Sequence, residues 1–211
     1  MNVNILAAGE FPRKIYPQML LAAEPVVCCD SALHGALRHK LNVSAVVGDM
    51  DSVPRADLKK FSGEIIRVEE QDDNDLTKAL RYVLEKYPDL TGITIFGASG
   101  KREDHTVANL SLLMEYEKQY GFWGRGITVQ MISDYSTTFA VGDSCELMLG
   151  EGRSVSLFTC DPSLRLRSEG LQWPLDEVVF DNWWKASLNR ATADCVKLTF
   201  NHPAPLLIIL D

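Results

Sequence analysis

The chain has 211 residues, 46% of them hydrophobic and 24% charged, the composition of an ordinary globular protein with one large core or two small ones. Its formal charge of -8 argues against a broad basic face, so neither nucleic acid nor an anionic membrane surface is an expected partner. No apolar run approaches the roughly 20 residues of a membrane helix, and no signal-peptide pattern opens the chain. Five cysteines without a CxxC pair suit reduced thiols in a cytoplasmic protein, and the four histidines show no zinc-ligand spacing.

In chain order, the first half alternates short apolar runs with helix-length segments. The runs are VNILAAG (3–9), PVVCCD (25–30), SAVVGD (44–49), EIIRVE (64–69) and GITIFG (92–97). They are rich in Val and Ile and apolar on both faces, as parallel strands covered by helices are. Leu76, Ala79, Leu80, Val83, Leu84 and Tyr87 recur at helical spacing, with Asp73 to Asp75 available as caps. Val107, Leu110, Met114 and Glu117 mark another helix, and Gly121 sits where a C-cap belongs. The helices then stop. ITVQMIS, TTFAVG, SCELMLG, SVSLFTC, VVFDNWW, CVKLTF and PLLIIL follow, separated by turn residues, in the rhythm of a small sandwich or barrel. The sequence leaves open whether ITVQMIS completes the first sheet or begins the second. The expected architecture is an α/β domain with a parallel, Rossmann-like sheet (1–130), followed by a smaller all-β sandwich domain (131–211).

Ligands of open parallel sheets bind beyond the carboxyl ends of the strands, and here those ends are polar. The first run ends at Gly9 and the second at Asp30. The third opens into Gly48-Asp49-Met50-Asp51-Ser52, the fourth leads to residues 70–75 with four carboxylates, and the fifth to residues 97–105. So many acids on one edge repel one another unless a hard cation such as Mg²⁺ neutralises them. Asp49 and Asp51 lie two apart in one turn, and Asp75 at a helix start adds a third oxygen donor. In 97–109, Gly97 and Gly100 permit close backbone approach, the following helix offers its N-terminal amides, and Lys101 and Arg102 add positive charge. The segment fits neither standard phosphate-loop pattern. Beside an acidic cluster it reads as a polyphosphate site.

GDMDS (48–52), QDDNDLTKAL (71–80) and GASGKREDHTVAN (97–109) together resemble the signature of the thiamin pyrophosphokinase family. The resemblance implies transfer of a diphosphate group from ATP to the hydroxyl of thiamin. It implies Mg²⁺ held by Asp49, Asp51 and Asp75, with Asp30 matching a further acid at the site. Lys78, Lys101, Arg102, Asp104 and Asn109 fall on positions lining the nucleotide and substrate site, and Gln71 on one that meets thiamin. GLQWPL (170–175) is similar to the family's GLKYPL stretch and KASLN (185–189) to its thiamin-facing run, with Ser187 and Asn189 retained and Leu188 replacing a serine. Other departures are His34 for asparagine, Asn74 for threonine and Lys101 for glycine. The resemblance also implies a homodimer whose subunits share the thiamin sites.

Trp173, Trp183 and Trp184 suit a flat cationic ligand, and also suit a core or an interface. If VVFDNWW is a strand, its two tryptophans point to opposite faces and one, taken as Trp184, meets the substrate. The expected chemistry is displacement at the β-phosphorus with AMP leaving, and Asp75 or Asp104 accepting the hydroxyl proton. The alternatives are a diphosphokinase for another hydroxymethyl heterocycle such as a pterin, a Mg-dependent hydrolase of nucleotides or phosphate esters, and a non-catalytic nucleotide sensor.

Overall fold

A computed structural model describes residues 1–211, which form two compact units: Met1–Asn109 with Ile127–Asp134, and Leu110–Gly126 with Tyr135–Asp211. The strands of the first unit are β1 (Asn2–Leu6), β2 (Val26–Cys29), β3 (Val43–Gly48), β4 (Glu64–Arg67), β5 (Gly92–Phe96) and β6 (Thr128–Ile132). All pair in parallel, in the spatial order β6-β5-β1-β2-β3-β4. ITVQMIS therefore completes the first sheet. The central strands are buried almost throughout, as their uninterrupted apolar runs require.

Five helices follow the strands or link them: α1 (Ile15–Ala23), α2 (Ala32–Arg38), α3 (Arg55–Lys60), α4 (Asp75–Lys86) and α5 (Glu103–Tyr120). In α4, Leu76, Ala79, Leu80 and Val83 form the buried stripe, which packs on β2 and β3. Its cap is Asn74 rather than either neighbouring aspartate: the Asn74 side chain accepts from Thr77 N at 3.0 Å. Past the end of α5, Gly121 adopts φ +59°, the left-handed turn a helix exit asks of glycine.

Chain order reverses between β1 and β5, so the loops after these strands lie at the switch point on the carboxyl edge, where ligands of such sheets bind. There the two loops touch backbone to backbone. Gly9 N donates to Gly97 O at 2.6 Å and Glu10 N to Ser99 O at 2.7 Å. A Cβ at Gly9 would lie 2.3 Å from Gly97 O, so only glycine fits.

The second unit is a sandwich. One sheet runs β11 (Asn189–Arg190), β9 (Ser154–Phe158), β13 (Leu206–Leu210), β7 (Thr137–Val141), and the other β10 (Leu166–Glu169), β12 (Cys195–Phe200), β8 (Cys145–Met148), both antiparallel. Val155, Leu157 and Ile208 from the first sheet share a core with Leu147, Val196 and Leu198 from the second. VVFDNWW is not a strand. It ends in a 3-10 turn, Trp183–Ala186, started by the Asn182 side chain accepting from Trp184 N at 3.4 Å. Neither tryptophan is buried, so the alternation argument that singled out Trp184 does not apply.

Candidate active site

A cavity of about 470 Å³ opens at the carboxyl edge of the parallel sheet, within the size range of small-ligand sites. Its wall gathers residues from all three motif segments, among them Asp30, Asp49, Gln71, Asp75, Lys78 and Asn109. Lys101 and Arg102 also reach it.

Asp30, directly after β2, is 5% exposed and held at φ +33°, a backbone state unusual for aspartate. The Ser52 hydroxyl and the Ser52 and Met50 backbone N–H groups hydrogen-bond its carboxyl, yet Oδ1 has no partner. Burial, followed by the charge of Asp49, pushes its pKa up. Asp75 is shifted the same way, by burial and then by Asp30. The Lys78 side chain, 2% exposed, opposes that shift from 3.7 Å and donates to Val68 O at 3.3 Å. Asp49 behaves oppositely. The Asp51 backbone N–H at 3.0 Å holds its carboxyl below the usual range, and Gln71 donates to it at 3.5 Å.

Asp51, expected beside Asp49, is exposed and outside the cavity wall. Turn geometry explains it: the backbone N–H of Asp51 is spent on Asp49, and Met50 at φ +67° sends the chain away. Asp30, by contrast, lies in that wall. No three acidic, cysteine or histidine side chains lie close enough as they stand to share one ion. The donor chemistry of Asp30, Asp49 and Asp75 nonetheless fits a hard divalent cation. An unpartnered buried oxygen and two carboxyls, Asp30 and Asp75, pushed toward neutrality by burial and then by a neighbouring aspartate, are what such a charge would relieve.

Asp104 is likewise outside the wall. Arg102 Nε donates to it at 3.0 Å and the His105 backbone N–H at 2.9 Å, holding its pKa down to about 2. Asn109 is committed to the scaffold, donating to Ala98 O at 2.8 Å and accepting from Asn74 at 3.1 Å. This pair ties the loop after β5 to the start of α4. Lys101 donates to Ala8 O at 2.9 Å. Ser52 was not singled out in the sequence, although its place at the end of GDMDS offered a hydroxyl beside the acids.

Ser187, Asn189 and Trp184 belong to one turn of the second unit. The Ser187 hydroxyl donates to Trp184 O at 2.7 Å. Asn189 exchanges bonds with the Trp173 backbone, donating at 2.7 Å and accepting at 3.2 Å, so it shapes the turn instead of presenting a free amide. Trp184 is 66% exposed, with the Lys185 ammonium 5.5 Å from its ring centre.

Comparison with known proteins gives two family matches: the thiamin pyrophosphokinase catalytic domain over residues 16–121 and its substrate-binding domain over residues 138–204. A thiamine pyrophosphokinase of Bacillus subtilis is 37% identical over 70 residues, 31% of this chain and 32% of that protein. Thiamine pyrophosphokinase 1 of Oryza sativa subsp. japonica is 25% identical over 175 residues, 76% of this chain and 60% of that protein. The chain thus spans about a third and about three fifths of these two relatives. A crystal structure of thiamine pyrophosphokinase from Bacillus subtilis superposes with a TM-score of 0.78 at 20% identity, covering 100% of this chain and 99% of that one, which is a likeness of fold.

Proposed function

The chain belongs to the thiamin pyrophosphokinase family, and on that footing we propose that it transfers the diphosphate group of ATP to the hydroxyl of thiamin, giving thiamin diphosphate and AMP. The observation that carries this reading is the cavity at the β1/β5 switch point, which joins the three motif segments in one wall of acids and phosphate-binding groups. Neither the pterin nor the hydrolase alternative gains support from the comparisons.

In the proposed reaction the hydroxyl oxygen bonds to the β-phosphorus, the bond from that phosphorus to the α-bridging oxygen breaks, and AMP departs with that oxygen. Mg²⁺, held by Asp30, Asp49 and Asp75, would supply charge neutralisation on the phosphate oxygens. Lys78 keeps Asp75 in place from beneath, and Arg102 and Lys101 offset phosphate charge at the mouth of α5. Asp104 is a poor proton acceptor, because its arginine partner holds it ionised down to about pH 2. Asp75, which lies in the cavity wall where Asp104 does not, is the better placed of the two to take the hydroxyl proton. Gln71 orients thiamin from the cavity rim, and the Ser187–Asn189 turn with Trp184 forms the thiamin-facing part of the second unit.

The same reading takes the protein to be a cytoplasmic homodimer with shared thiamin sites. The exposed rings of Trp173, Trp183 and Trp184 and the unpaired state of all five cysteines support it. The test is incubation with ATP, Mg²⁺ and thiamin, followed by chromatography of both products. Equal amounts of AMP and thiamin diphosphate are expected, and AMP formed without thiamin diphosphate would sink the proposal.

A further inference from the structure

The loop that carries Gln71 into the cavity wall runs from Val68 to Asn74, between β4 and α4. It holds four carboxylates, Glu69, Glu70, Asp72 and Asp73, and like charges so close in sequence push a free loop open. Both of its ends are fastened to α4. Lys78 Nζ donates to Val68 O at 3.3 Å, and the cap Asn74 accepts from Thr77 N at 3.0 Å. Between those ends the fastening is Arg81, half-exposed, six residues past Asp75 and outside the cavity wall.

One nitrogen of the Arg81 guanidinium reaches both flanks of the loop tip. Its Nη2 lies 2.7 Å from Glu70 Oε1 and 2.8 Å from Asp73 Oδ2. The other oxygen of Glu70 accepts the backbone N–H groups of Asp72 and Asp73, at 2.9 and 3.2 Å. Residues 70–73 are thereby closed into a turn. Gln71 at its tip has only long bonds of its own, donating to Glu69 O at 3.3 Å and to Asp49 at 3.5 Å. Asp73 belongs to the cavity wall as well, so Arg81 also balances one of the acids there.

We propose that Arg81 is a positioning residue for the diphosphate transfer: without touching substrate, it holds the 70–73 turn closed through Glu70 and Asp73 and so sets Gln71 against thiamin. The inference rests on the proposed reaction for what Gln71 meets, and on the geometry for what places Gln71. A substrate-orienting group must sit within about 0.5 Å of its productive position, a precision that a loop of repelling carboxylates lacks by itself. Exposed ion pairs add little to global stability. A guanidinium bridging two carboxylates at the rim of a site therefore acts on the shape of the loop, not on the survival of the fold.

The test compares Arg81→Ala, Arg81→Lys, Gln71→Ala and the double variant with wild type. It reads melting temperature, the KM of thiamin and of ATP, and hydrogen exchange at the Asp72 and Asp73 amides. We expect Arg81→Ala to keep the melting temperature and ATP KM of the wild type, to raise the thiamin KM roughly tenfold, and to exchange faster at both amides. Both contacts come from one nitrogen, so Arg81→Lys should recover part of the loss. On the Gln71→Ala background the arginine change should raise the thiamin KM no further. Thiamin KM or amide exchange unchanged in Arg81→Ala would overturn the positioning role. So would an equal rise in both KM values that persists in full on the Gln71→Ala background, or an Arg81→Ala chain that fails to fold, since the residue would then serve the fold. An active wild type with any of these results keeps the reaction and loses the role of Arg81. A wild type that makes no thiamin diphosphate, with the two amides exchanging faster in Arg81→Ala, loses the reaction and keeps the turn that Arg81 holds.

Discussion

Two aspartates two residues apart in the GDMDS turn have different fates, and the cause is local. Asp49 faces the cavity with its carboxyl kept ionised by the amide of Asp51, whose own side chain faces water. Asp49→Asn should therefore lower turnover by roughly 100-fold or more, whereas Asp51→Asn, which preserves the amide, should stay within a few-fold of wild type. Steady-state rates and Mn²⁺ affinity for both variants check this, and equal losses would return Asp51 to the site. Asp30 carries a different expectation. Its pKa is raised in the folded protein, so the native state holds that proton more tightly than the unfolded chain. The stability it contributes is complete below the unfolded value of about 4 and is lost as pH rises through the folded value. Asp30→Asn mimics the protonated form. In cation-free buffer near neutral pH it should raise the melting temperature, by about 2–4 °C per kcal/mol regained in a chain of this size, and at pH 3 it should not. The acids themselves were legible as motif letters. Which of them face inward was not, because that depends on the positive φ of Asp30 and Met50, which no spacing rule reports.

At the scale of elements, α4 joins folding to the site. Its apolar stripe fixes it on the sheet, its first residue is Asp75, and its cap Asn74 also reaches Asn109. Asn74→Ala loses both bonds and should destabilise the protein by about 1 kcal/mol or more. Asn74→Thr keeps a capping oxygen but loses the bond to Asn109, so melting curves should place it between wild type and alanine. The helices and parallel strands were legible because their burial imposes a period. VVFDNWW was misread as a strand because β-favouring residues there are outweighed by Asp181 and Asn182, whose short polar side chains favour turns. The 18-residue α5 carries a further signal in Glu117, which lies on the helix's apolar line because it is buried. It accepts the Trp123 backbone N–H at 2.9 Å, and burial raises its pKa. Stability owed to its protonated form is lost as pH rises through that raised value, so Glu117→Gln should flatten the pH dependence of unfolding between the ordinary carboxylate range and that raised value.

Across the whole molecule, the change of rhythm near residue 125 correctly announced an α/β unit and a β-sandwich. The sequence could not show that residues 110–126 group with the sandwich while 127–134 return to the first unit, since helical periodicity does not say which core a helix serves. The sandwich unit also leaves Trp173, Trp183, Trp184 and Leu188 exposed, the last at 82%. If the proposed dimer forms, light scattering should give twice the chain mass of 23.5 kDa, and Trp184→Ser should raise the thiamin KM more than it lowers kcat. A monomer at working concentrations would remove the shared-site part of the proposal.

The backbone contact of Gly9 with Gly97 bears on how this protein can be rebuilt from pieces of its relatives. The two loops are far apart in the gene yet interlock like halves of a clasp, with no side chain between them to absorb a mismatch. A chimera whose crossover falls between residues 9 and 97 inherits its halves from different parents, and remains sound only if both parents shaped the clasp alike. Crossovers beyond Ser99 carry it whole, and a library randomised at position 9 should return glycine.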